Sequence, residues 1–433
     1  MPENASKEVD AVAPASLEQA TALGGALSGW SLDRTFAALK YRNYRLWFMG
    51  QLSSLVGTWM QTTAQGFLVF QLTNSPVYLG LVGFASGFPS LVLMLYGGVL
   101  ADRVPRRTLL VITQTSMMAL AFILALLTFT GWVQPWHIVV LAFLLGVANA
   151  FDTPARQAFV LEMVERQDLG NAIALNSTMF QSATVVGPAV AGITYALFGP
   201  AWCFTINGIS FLAVITALLM MHVQPLPPRL QTTSAWRDLK QGLRYVVGHP
   251  TIRTLIALVS VTSVFGLGYS VLFPDWAVIV LGGDVTTNGW LQSARGAGSL
   301  IGALLIASFG RFRFKGKLLT TGTFVFPLAL ILFANLRSLP LSLLSLLIVG
   351  WGFMVQFNLS NVLVQTHVQD ELRGRVMGVY SLAFGGLMPL GALLAGTVAD
   401  QIGAPATVIA GACITLGFAL FVWWMAPRLR ALE

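Results

Sequence analysis

Twelve runs of about twenty apolar residues, parted by short polar segments, leave this 433-residue chain few ways to fold. They lie near 44–70, 77–101, 108–130, 137–155, 171–198, 202–222, 252–281, 288–310, 317–335, 341–363, 377–401 and 404–426. Hydrocarbon offers no water to a backbone amide, so each run must close its own hydrogen bonds as an α-helix. Only 10% of the residues are charged, against about 25% in a soluble domain. The expected class is an all-α membrane protein of twelve transmembrane helices. An even number places both termini on one side.

The basic residues choose that side. Of the 25 Lys and Arg, all but Arg295 and Arg337 fall in the tails, in the loops at 102–107, 156–170, 223–251, 311–316 and 364–376, or at the helix ends beside them. The positive-inside rule makes these segments cytoplasmic. The net charge of +8 is then a topology signal with affinity for anionic headgroups, and a nucleic-acid partner drops out. Residues 1–30 carry Glu3, Glu8, Asp10 and Glu18 and read as a disordered cytosolic tail without a cleavable signal peptide. Residues 31–43 read as a short interfacial helix, with Leu32, Phe36 and Leu39 opposite Arg34 and Arg42.

The chain also repeats. Residues 157–207 align with 361–411 at an offset of 204, matching Gly170 to Gly374, Gly187 to Gly391, Gly192 to Gly396 and Gly199 to Gly403. A weaker echo near offset 212 pairs Tyr78 with Trp290 and Gly98 with Gly310. Six helices repeated in the same orientation imply two pseudo-symmetric bundles with a substrate site between them. The expected domains are a tail and interfacial helix (1–43), an N-terminal bundle (44–222), a linker (223–251), a C-terminal bundle (252–426) and a cytoplasmic C-terminal tail (427–433). In the linker, Pro225, Pro227 and Pro228 end the sixth helix. The stretch that follows puts Trp236, Leu239, Leu243 and Val246 on one face, as a helix resting on the inner leaflet would.

Two cysteines, Cys203 and Cys413, sit inside apolar runs and read as small core residues. The histidines His137, His222, His249 and His367 have no metal-ligand spacing. No GxxxxGK[ST], HExxH or GxSxG pattern occurs, so neither a nucleotide-driven pump nor an enzyme is expected, and no cofactor.

Between the second and third runs stands Gly98-Val-Leu-Ala-Asp102-Arg103-Val-Pro105-Arg106-Arg107. This stretch resembles the loop motif between helices two and three of the major facilitator superfamily, with Pro105 where that family usually has Gly. FDTPARQAF (151–159), GLRYVVGHP (242–250) and RGRVMG (373–378) resemble its branch of enterobactin exporters and macrolide-efflux permeases. The resemblance implies the major facilitator fold and a conformational latch made of Gly98, Asp102, Arg103, Arg106 and Arg107. In that latch Asp102 would face the start of helix eleven near Arg375–Gly378, as the helix macrodipole favours. Arg106 or Arg103 would pair with Asp152. The corresponding segment of the second half, residues 310–317, keeps the basic residues and loses the acid, so the latch is expected on one side only. Gly187, Pro188 and Gly192 resemble the family's antiporter motif, and ordinary small-residue packing is the alternative.

Helix one carries a polar stripe, Gln51, Ser54, Thr58, Gln61 and Gln65, with Trp59 nearby. Such a stripe either lines a polar path or bonds a neighbouring helix. By family analogy helices one, four, seven and ten line the cavity, which adds Asn149 and Asp152 from helix four. Helix ten contributes Gln356, Asn358, Asn361 and Gln365. Asp275 and Arg295 lie six or seven residues from the loop between helices seven and eight, roughly 9–10 Å deep. At equal depth they are expected to pair or to share a watery cavity, in a structural, gating or proton-coupling role. The expected function is a monomeric multi-pass transporter of the bacterial inner membrane. It exports a siderophore, drug or similar amphipathic small molecule by proton antiport. Import or lipid flipping is the alternative within the class.

Overall fold

The computed structural model describes residues 36–222, 235–308 and 314–432. The expectations for the tail 1–30, for Pro225, Pro227 and Pro228, and for residues 310–313 lie outside the described residues. Among the described residues the chain is helical, with no β-strand. Six long helices come first: α1 (Arg42–Thr73), α2 (Pro76–Arg103), α3 (Arg106–Phe129), α4 (Pro135–Phe159), α5 (Leu169–Phe198) and α6 (Pro200–Met220). The short α7 (Ala235–Gly248) follows. Then come α8 (Pro250–Val280), α9 (Val285–Ser308), α10 (Lys315–Asn335), α11 (Leu339–His367), α12 (Asp370–Ile402) and α13 (Ala404–Met425).

Nine of these, among the described residues, are long and apolar enough to cross a membrane. The other long helices, α1, α5 and α9, are more polar for a visible reason. They bury Gln51, Gln61, Thr63 and Gln65, then Gln181 and Thr184, then Asn288, Ser293 and Ser299. Their polarity points inward, away from where lipid would be.

Core clusters separate by half of the chain. Trp47, Phe159 and Leu218 belong to one cluster, and Phe70 and Phe204 to another, both built almost wholly from α1–α6. Trp276, Phe333 and Leu346 form a third cluster, and Tyr380, Leu359 and Val376 a fourth, drawn from the part after the linker. The sequence repeat is spatial as well. Gly199 and Gly403, one of the matched pairs, both take positive φ (+87° and +83°) at the turn between two helices, where a Cβ would be strained.

Three local expectations are corrected. First, no helix spans the described part of 31–43; Ala37–Lys40 is one 3₁₀ turn. Ala38 donates its backbone N–H to Asn171, and Lys40 and Tyr41 both hold Asp168, so tertiary bonds set its shape. Second, α8 is not a continuous α-helix. It passes through a π segment (Thr262–Gly266), a 3₁₀ segment (Gly268–Leu272) and a second π segment (Trp276–Val280). Pro274 removes one amide from the ladder, and α8 runs so close to α12 that a Cβ added at Gly268 would lie 2.5 Å from the Gly391 carbonyl. Third, α7 packs part of its apolar face on protein and leaves the rest free. Val246 is buried and Leu239 partly so, while Trp236 and Leu243 stay exposed. Gly242 abuts the Arg375 carbonyl, and Asp238 pairs with Arg375 at 2.8 Å.

The start of α9 rests on Asp284. Its carboxylate accepts from the Thr287 amide (3.1 Å) and the Thr286 hydroxyl (2.6 Å), and its carbonyl accepts from Asn288. These bonds hold the Asp284 carboxyl below the usual aspartate range. A depressed acid stabilises the fold above its ordinary pKa and loses that contribution as pH falls. Asp284→Ala should cost about 0.5–2 kcal/mol in thermal unfolding of the micelle-solubilised chain, and Asp284→Asn much less. The penalty of the Ala variant should shrink below about pH 4. An undiminished penalty there would remove the capping account.

Candidate functional site

The two parts of the chain meet along two seams at the end opposite Gly98–Arg107. In one seam α2 meets α12: a Cβ on Gly80 would lie 2.8 Å from the Ala392 carbonyl, and one on Gly396 2.6 Å from that of Pro76. In the other α5 meets α9: a Cβ on Gly289 would lie 2.5 Å from the Pro188 carbonyl, and one on Gly192 3.0 Å from the Thr286 Cα. Pro188 and Ala392, like Gly192 and Gly396, correspond in the repeat, so the seams are copies related by its pseudo-symmetry. Ser75, the N-cap of α2, also donates to Asp400 on α12 at 3.0 Å.

At the Gly98–Arg107 end the spacing is different. A Cβ on Gly98, Gly374 or Gly378 would meet nothing within 4 Å. The side chain of Asp102 lies outside the described residues. The segment it was expected to face is engaged elsewhere, with Arg375 held by Asp238. Arg103 is exposed. Arg106 pairs with Glu162 at 2.7 Å, and Arg107 donates to the Leu219 carbonyl at the end of α6. Asp152 accepts from Thr113 and Gln114, both at 2.9 Å, and pairs with Arg156 at 3.7 Å. The expected Arg106–Asp152 pair is thus corrected to Arg106–Glu162. The acid within the EMVERQD stretch was the available signal.

The stripe on α1 is mostly enclosed: Gln51, Ser54, Gln61 and Gln65 are buried. Gln61 accepts from Asn207 on α6 at 2.6 Å, which is the helix-bonding alternative, while Gln51 Oε1 has no hydrogen-bond partner. Thr58 and Trp59 are half-buried, with Trp59 edge-on to Phe180. Thr63, off the stripe, bonds Gln292 of α9 at 3.1 Å. On α11, Gln356 is buried and donates to Thr262 at 2.8 Å. The two line a small pocket with Ser263, Phe353, Phe357 and Phe384. Asn149, Asn358 and Asn361 are half-buried, and Gln365 is exposed and bonds Asn361. Gly187 lets α5 close on Trp59 and Val56 of α1.

Asp275 and Arg295 make no ion pair with each other or with any other described residue. The equal-depth argument fails because α9 starts at Val285. Arg295 is then ten residues along its helix, whereas Asp275 is five from Val280. At 1.5 Å per residue the two differ in depth by roughly 7–8 Å. Both Asp275 and the Nε of Arg295 are buried.

The comparisons agree with this architecture. The family model for transmembrane secretion effectors matches residues 33–433. The chain belongs to that family, within the major facilitator superfamily. It is 30% identical over 393 residues to the multidrug efflux pump Tap of Mycolicibacterium fortuitum, covering 88% of this chain and 95% of the relative. It is 24% identical over 383 residues to the enterobactin exporter EntS of Shigella flexneri, covering 88% and 89%. Among solved structures, the nucleoside transporter NupG shares the fold with a TM-score of 0.67 at 14% identity, over 88% of this chain and 98% of that one. The chain is a membrane transporter and not an enzyme.

Closure of the seams rests on glycine. Gly396→Val sets a Cβ 2.6–2.7 Å from the Pro76 carbonyl and the Gly80 Cα, both backbone and unable to yield. Spin labels on cysteines replacing Asn74 and Gln401 should move apart by several ångströms in this variant, as in domain rocking. An unchanged distance distribution would show that the seam is not what holds this end shut.

Proposed function

We propose that the chain is a secondary exporter of an amphipathic organic molecule, such as a siderophore or drug, working by proton-coupled alternating access. Twelve membrane-spanning helices, α1–α6 and α8–α13, form two six-helix bundles joined by residues 223–251. Both termini lie in the cytoplasm and the chain sits as a monomer in the bacterial inner membrane. The count includes α1, α5 and α9, whose polar residues would be sheltered from lipid between the bundles.

The supporting observation is the asymmetry of packing. Two glycine seams close one end, while Gly98, Gly374 and Gly378 have open space at the other. With the basic end cytoplasmic, this is the state that loads substrate from inside. Opening the seams and closing the Gly98 end then releases it outside. In the closed-inside state Asp102 would approach the backbone of Arg375–Gly378, displacing the Asp238–Arg375 contact. Asp275 and Asp152 are the carboxylates placed to carry protons, and the half-buried Trp59, Asn149, Asn358 and Asn361 line the route. The names of the relatives, a multidrug efflux pump and an enterobactin exporter, favour export over import.

Everted vesicles decide the matter. With an inward-acid proton gradient, vesicles carrying the chain should accumulate siderophore or drug several-fold over empty vesicles, and an uncoupler should abolish the gain. No accumulation with any gradient, or accumulation only in right-side-out vesicles, would defeat the exporter reading. Asp102→Asn should reduce initial rates at least several-fold with the same amount of protein in the membrane. A full rate would leave 98–107 with topology alone.

A further inference from the structure

Arg295 is set into a helix face whose composition the transport cycle alone does not explain. At 100° per residue, Asn288, Gln292, Arg295 and Ser299 of α9 fall within about 60° of one another. The neighbouring helices locate that face. Gly289, Ser293 and Gly296 turn to α5, where Ser293 donates to the Val185 carbonyl. Gly298 meets the Leu347 carbonyl of α11 on the other side. The polar stripe therefore lies between α5 and α11 and away from lipid, turned towards α1, which Gln292 reaches at Thr63.

The stripe is rich in donors without acceptors. Asn288 is fully buried; its Oδ1 accepts from Gln292, and its Nδ2 has no partner. The buried Nε of Arg295 has none either, and Arg295 makes no ion pair among the described residues. Asp275, the acid its sequence position suggests as a partner, is offset in depth. An uncompensated guanidinium inside a membrane protein is costly, and a face with two idle donors and no idle acceptor is complementary to negative charge. The two donors are seven residues apart, roughly 10 Å along the helix. That is the reach of one drug-sized molecule.

We propose that Arg295 is the anchor for an anionic group of the exported molecule, a carboxylate or comparable oxyanion, with the Asn288 amide as a second donor. Arg295 is then a specificity-determining residue and not one half of a gate. The inference rests on the exporter reading for its setting, and its test does not depend on transport. A guanidinium meets a carboxylate with two parallel hydrogen bonds, while Lys supplies the charge without the fork.

Rhodamine 110 and its methyl ester, rhodamine 123, share one ring system and differ by a free carboxylate. Fluorescence anisotropy would give their affinities for the full chain in nanodiscs. The wild type should prefer the acid by about tenfold, the value of one charge-assisted hydrogen bond. Arg295→Gln should abolish that preference by weakening the acid alone, and Arg295→Lys should keep part of it. A wild type that binds both dyes alike or neither, or an Arg295→Gln variant with the same acid-to-ester ratio, would overturn the proposal. So would equal loss of both dyes in Arg295→Gln with full recovery in Arg295→Lys, which marks a structural role. Acid-selective binding through Arg295 without uptake by everted vesicles would instead sink the exporter reading and leave the anion site standing.

Discussion

Backbone meeting backbone, without side chains between, is the contact on which the architecture depends. At Gly289 a methyl group would sit 2.5 Å from the Pro188 carbonyl, and at Gly396 2.6 Å from that of Pro76. Membrane helices gain little by burying leucine, because lipid is as apolar as leucine itself. Close approach through small residues supplies the attraction instead. A seam of this kind interlocks few side chains, so helices can part along it and re-form it with little repacking. Two such seams related by the internal repeat make a natural pair of hinging edges.

The same economy explains where the polar residues went. A helix that must pass through lipid can afford Gln, Asn and Arg only on faces turned inward. Gln61 finds Asn207, and the Gln356 amide finds Thr262 while its Oε1 stays unpaired. Such bonds hold neighbouring helices together. Arg295 and Asn288 differ because their donors stay unmatched in a protected place.

Much of this was legible in the sequence, for reasons that can be named. The apolar runs match the helices because length and hydropathy suffice to specify a spanning helix, and Pro76, Pro135, Pro200 and Pro250 mark helix starts. The offset of 204 foretold equivalent turns at Gly199 and Gly403. What stayed hidden depended on neighbours. The breaks in α8 come from Gly268 and Gly391 closing on each other's helices, and nothing local announces that approach. The stripe on α1 has the right period for a path, yet period alone does not separate a cavity from helix six. The stripe Asn288, Gln292, Arg295 and Ser299 has the same period, but in the sequence the two charges Asp275 and Arg295 suggest a pair instead. A helix start at Val285 instead of 288 was enough to undo that pair.

The ties that bias the two ends are weak, and this has a consequence for how the cycle is driven. The Ser75–Asp400 hydrogen bond lies at an exposed rim and is worth about 0.5–1.5 kcal/mol. The Asp238–Arg375 pair is half-exposed and contributes about 0–1 kcal/mol. Inverting a 1:99 distribution takes about 5.5 kcal/mol, several times either tie. Neither side-chain tie, then, can be the lock; the glycine seams hold the conformation and the ties only trim it. On the proposal above, a molecule bound between α1, α9 and α11 would act on the seams directly, since α9 carries both the polar stripe and Gly289. Filling one face of that helix and moving its other face would be a single rigid displacement. Recognition and gating would then be joined through one helix, with no relay of side chains between them.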